Sequence, residues 1–73
     1  MKEKVLTVIR LLNEKAPAEM DDIKKGVGTD DETLISVLNE LYEEGKISAQ
    51  PKKNKRVNGP KYLDFIHIKA YPF

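Results

Sequence analysis

The feature that most constrains this chain is a change of period at Gly45. Up to that residue, Leu34, Val37, Leu38 and Leu41 recur at the spacing of one helix face. Beyond it the pattern alternates. Lys46-Ile47-Ser48-Ala49-Gln50 puts Ile47 and Ala49 on one side of a strand, and Tyr62 to Ile68 is β-branched and aromatic. A two-stranded ribbon is not stable alone, so it must pack against the preceding helices and close their core. With 73 residues and no cysteine there is room for one domain and no disulfide to staple it.

The helix ending at Gly45 carries signals at both ends. Thr29 and Glu32 have the spacing of a capping box, and Gly45 supplies a left-handed terminator, so a helix is predicted over about 30–44. Upstream, Val5, Leu6, Val8, Ile9, Leu11 and Leu12 form a wide apolar stripe on a first helix over about 2–13. Pro17 suits the first position of a second helix, about 17–25, which buries Met20 and Ile23. Gly26 and Gly28 flank Val27 in the expected turn before the third helix. The strands are expected at about 46–50 and 62–68, followed by a tail over 69–73. The inward face of the second strand is open. Leu63 and Phe65 compete with Ile66 and Ile68, which lie on the opposite parity. The predicted fold class is α+β: a three-helix helix-turn-helix core with a C-terminal two-stranded β-hairpin, all within one domain over 1–73.

A net charge of +1 conceals strong segregation. Residues 30–44 carry six acids (Asp30, Asp31, Glu32, Glu40, Glu43, Glu44) and no base, whereas residues 45–61 carry six bases and no acid. Five of those bases, Lys52, Lys53, Lys55, Arg56 and Lys61, lie in the Pro51–Lys61 connection between the strands. Closely spaced cations on a hairpin loop can follow a phosphate backbone, each contact releasing counterions. The alternative is a solubilising loop that discourages edge pairing. On the third helix, Asp30, Asp31 and Glu32 favour the helix dipole. Glu40, Glu43 and Glu44 crowd the end where acids are unfavourable, and Glu40/Glu44 is a repulsive pair.

The run Ala16 to Ile47, APAEMDDIKKGVGTDDETLISVLNELYEEGKI, resembles the winged-helix branch of the helix-turn-helix superfamily. It has a short helix with Ile23, a Gly-containing turn, a polar cap at Thr29, a leucine-striped helix and a Glu-Glu-Gly-Lys-Ile exit into a strand. The resemblance implies a DNA-binding protein, a small transcription regulator in which the third helix lies near the major groove and the wing holds phosphates. Carried onto this chain, it nominates Ser36 and Asn39 as base readers and Lys52, Lys53, Lys55, Arg56 and Lys61 as wing contacts. Such proteins often bind double-stranded DNA as homodimers. The first helix or the C-terminal strand and tail are the candidate dimer surfaces. The other use of the fold is protein–protein contact, where a basic partner surface would meet Glu40, Glu43 and Glu44 with Ile35 and Tyr42.

No catalytic constellation is visible. Ser36 and Ser48 lack a His–Asp arrangement, the acidic pairs do not match a calcium loop, and the lone His67 reads as structural. The expectation is a non-enzyme without metal or cofactor. The N-terminal MKEKVLTVIRLLNEK is too charged for a signal peptide and no run is long enough for a membrane span, so a cytoplasmic location is expected.

Overall fold

Leucine spacing does set the centre of the molecule. The computed structural model describes residues 1–54 and 62–71, with the backbone alone at Lys53 and Asn54. Its order is α1 (Lys2–Asn13), α2 (Met20–Val27), α3 (Asp31–Glu43), β1 (Ile47–Asn54) and β2 (Tyr62–Ala70). The strands form an antiparallel hairpin. Three helices followed by a hairpin give the α+β layout expected from the change of period, arranged as a winged helix is.

The core is shared among all five elements. Val5 and Ile9 of α1, Ile23 of α2, Leu34, Leu38 and Leu41 of α3, and Phe65 and Ile68 of β2 are all fully buried. Burial of a side chain of this size stabilises the fold by about 1.5–3 kcal/mol. The stripe on α1 is narrower than its composition implies, because Leu11 is 61% exposed. Gly26 lies inside α2 rather than in the turn. A Cβ there would sit 2.7 Å from Val8 Cγ1, so its absence lets α1 and α2 approach closely. Gly28 takes the left-handed terminating position (φ 76°).

Two helix starts differ from expectation. Asp30, not Thr29, caps α3: its carboxylate accepts from the Thr33 N–H at 3.0 Å. Hydrogen bonding from the Thr33 side chain first, and from this N–H second, holds the Asp30 carboxyl below its ordinary pKa. α2 begins at Met20 rather than Pro17, because Ala18 is drawn into sheet pairing. The Ala18 N–H donates to Ile68 O at 2.8 Å, and the Ile68 N–H returns a bond to Ala18 O at 2.9 Å.

β2 resolves its parity conflict by not alternating. Between the Ser48–Lys69 and Gln50–Ile66 pairs, β2 carries one residue more than β1. The extra residue makes a bulge, and His67 sits there with φ 53°, a conformation non-glycine residues seldom take, His more readily than most. A second extra residue in β2, Leu63, falls between the partners of Lys53 and Asn54 and is 37% exposed. Phe65 from one parity and Ile68 from the other therefore both face the core.

Candidate nucleic-acid interface

Site residues nominated from the sequence separate into three groups. Ser36 on α3 and Lys52 on β1 are exposed. Lys53 is on β1, its side chain outside the described atoms, and Lys55, Arg56 and Lys61 lie outside the described residues. Asn39 is the correction. It is only 5% exposed, the one buried polar residue among those described, and so is not presented to a base edge.

Both functional atoms of Asn39 are used within the chain. Nδ2 donates to Ile35 O one turn back and to Tyr62 O, each at 2.8 Å. Oδ1 accepts from the Tyr62 N–H at 2.9 Å. Only one orientation of the amide satisfies three such partners, since both carbonyls need the nitrogen. Around this contact, the rings of Tyr42, Tyr62 and Phe65 lie 5.6–5.8 Å apart. The Tyr42–Tyr62 pair is edge-to-face, an arrangement that suits the ring quadrupoles. Tyr42 is thus half-buried against the hairpin instead of standing out as a contact residue.

The acidic end of α3 is partly answered from within. Lys2 Nζ lies 3.1 Å from Glu40 Oε2 and 2.7 Å from Glu44 Oε2, placing one cation between the two like charges. These bonds, the one to Glu44 first, raise the Lys2 pKa, and Lys2 in turn lowers that of Glu44. Lys24 reaches Asp31 at 3.0 Å and Lys46 reaches Glu44 at 3.6 Å. Of the six acids, Asp30, Glu32 and Glu43 have no ion pair among the described residues, Asp30 being used instead as the cap of α3.

Two of the α1 cations are engaged elsewhere among the described residues. Lys2 is held at the end of α3, and Arg10 donates through Nε and Nη2 to the Tyr71 carbonyl at 3.3 and 3.1 Å. Tyr71 follows the Ile47–Ala70 pair at the root of the hairpin, the end opposite Tyr62. A cleft of about 460 Å³ opens beside Arg10, between Lys15, Pro17 and Lys69.

No cluster of three His, Cys, Asp or Glu capable of holding a metal occurs among the described residues. No helix among them is long and apolar enough to cross a membrane. No family model, curated protein or solved structure matches the chain.

Proposed function

We propose that this chain is a small winged-helix protein of the cytoplasm that binds double-stranded DNA as a transcription regulator, gripping phosphates chiefly through its hairpin. The observation that carries this reading is the separation of roles within the hairpin. β2 is tied to the helices at Tyr62, Ile68 and Ala70, while exposed Lys52 stands on the outer strand, in a segment whose charged residues are all basic. A charged arm on a fixed root suits backbone contact, which positions a protein without reading sequence. On α3, Ser36 is the remaining nominated base reader, so direct readout is small in this proposal.

The alternative, a basic protein partner on α3, has less to draw on. Glu40 and Glu44 already hold Lys2, and Tyr42 packs against Tyr62 and Phe65. Of that surface, Glu43 alone is an exposed acid without an ion pair among the described residues, and Ile35 is half-buried.

Fluorescence anisotropy of a labelled duplex in a salt series tests the proposal. A Lys52/Lys53/Lys55/Arg56→Ala variant should lose about tenfold or more in affinity at low salt and flatten the log–log salt slope by about 0.9 for each contact removed. A variant that binds as well as the parent, with the same slope, refutes the wing assignment.

A further inference from the structure

We propose that Asn39 is the positioning residue of the wing: its side-chain amide docks α3 onto Tyr62 in the manner of a single strand residue and fixes the direction of the strand pair that carries Lys52. The proposal rests on the nucleic-acid reading above for its functional consequence and on geometry for its mechanism.

In an antiparallel ladder, a residue exchanges both its N–H and its C=O with the residue facing it. Asn39 offers Tyr62 that same complement, a donor and an acceptor side by side, at 2.8 and 2.9 Å. A third bond, from Nδ2 to Ile35 O, ties the amide to its own helix and sets its rotation. The side chain thus has a defined orientation at both ends.

Packing alone does not supply that direction. The contacts of Tyr42, Tyr62 and Phe65 fix how near the hairpin lies to α3, but apolar contact is non-directional and tolerates tilting and sliding. Two parallel hydrogen bonds to one backbone residue do not. A buried amide is also a costly occupant of a core position unless every polar atom is paired, and here every one is. Leu has the same branching and the same number of heavy atoms, with bulkier methyl ends, and would bury apolar surface in its place. What the amide adds is a unique arrangement, the best-attested use of a buried polar group.

The location gives the bond its leverage. Lys52, Lys53, Lys55, Arg56 and Lys61 all fall between Pro51 and Tyr62 in the sequence, and Pro51 is itself paired with Phe65. Lys52 therefore stands on a strand paired with the one that Asn39 holds, and the other wing cations follow it in the sequence before Tyr62. Asn39 would touch no phosphate and no base. It would act through the strand.

Three readouts on the full chain test this, using Asn39→Leu and Asn39→Asp. The first is amide hydrogen exchange at Tyr62 compared with Leu41. The second is the set of residual dipolar couplings of Lys52, Leu63 and Asp64 relative to α3. The third is anisotropy of a labelled duplex. In Asn39→Leu, Tyr62 exchange should quicken by about tenfold or more, the strand couplings should change while those within α3 do not, and duplex affinity should fall about tenfold with every wing cation intact. Asn39→Asp supplies a conservative rescue. In acid the protonated carboxyl can donate to Tyr62 O and accept from its N–H, so couplings and affinity should match the parent measured at the same pH. At higher pH the carboxylate opposes the Tyr62 carbonyl, and both should shift toward the Leu values.

A folded Asn39→Leu with parent couplings and parent affinity overturns the proposal. If Asn39→Leu does not fold, Asn39→Asp decides: couplings that do not move with pH overturn it, and couplings that reverse support it. A parent that binds no duplex refutes the nucleic-acid reading instead. The positioning role then stands if the couplings change and falls if they do not.

Discussion

β2 is held at both ends by an asparagine from a helix, and the two ends are not equivalent. At the hairpin root, Asn13 of α1 accepts from the Ala70 N–H at 2.9 Å and donates to Ile68 O at 3.0 Å and Ala16 O at 3.3 Å. At the far end, Asn39 of α3 uses the same atoms on Tyr62 and Ile35. The chemistry is shared; the surroundings differ. Asn13 is half-exposed and is reinforced by the Ala18–Ile68 bridge, whereas Asn39 is buried and, among the described residues, no isolated backbone bridge accompanies it. A contact with a partner nearby tolerates loss, because water or a neighbour takes over the orphaned groups. A buried contact standing by itself leaves them unpaired, which is where the large penalties arise.

Four measurements would sharpen or break that contrast. Asn39→Leu should have the largest effect, lowering unfolding free energy by about 2–4 kcal/mol in urea melts, since two backbone groups lose their partner out of reach of water. Asn13→Leu should cost less, about 1–2 kcal/mol, because solvent can reach the site. Equal losses would show that burial does not distinguish the two ends.

The residue that lets one strand serve both contacts comes next. His67 lies between them in the left-handed region, which a β-branched side chain resists. His67→Val should therefore destabilise by about 1 kcal/mol, and His67→Gly should stabilise by some fraction of that. A stabilising His67→Val would mean that the bulge is not needed to bring Phe65 and Ile68 to one face.

The smallest effect concerns Lys2, which ties the helix bearing Asn13 to the helix bearing Asn39. Glu44, with its pKa depressed by Lys2, contributes stability that is present above its ordinary value of 4.5 and lost as pH falls through the lowered one. Lys2, with its pKa raised, contributes stability present below 10.5 and lost as pH rises through the raised value. Lys2→Ala should flatten both limbs of the stability–pH profile and leave the neutral region little changed, as for other exposed pairs. Unaltered limbs would remove the ion pair from the account of how the helices are held.

What was legible in the sequence follows from how locally each feature is determined. The bounds of α1 and the burial of Leu34, Val37, Leu38 and Leu41 come from periodicity within one helix, and they agree with expectation. The start of α2 does not, because Pro17 is a local signal and the Ala18 pairing that displaces it depends on a residue 50 positions away in the chain. At α3 the cap moved by one residue, between adjacent side chains both able to accept the bond. Asn39 was beyond local inference: it falls outside the leucine stripe, and its partner stands 23 residues further on. The conflict of parity in β2 was visible, but its resolution needed a bulge that no alternating pattern encodes. For the candidate interface, the sequence displayed the charge segregation in full, since that depends on the order of residues along the chain alone. It did not reveal that Lys2 would sit between Glu40 and Glu44.

The Ala18 bridge, with Asn13 and Asn39 on either side, leads to a further consequence. These contacts occupy the inner margin of β2 at Tyr62 and from Ile68 to Ala70, and between them the Phe65 N–H donates to Met20 Sδ, so a foreign strand cannot add there without breaking native bonds. Among the described residues, only the outer margin of β1 is unpaired, and it carries Pro51 and exposed Lys52. Each folded molecule thus offers strand addition at one side at most. Two copies meeting there would consume both available margins and leave none for a third. Fibrous growth by edge addition therefore requires partial unfolding first, and its rate should follow the opening of β2 from the helices rather than the concentration of the folded chain alone.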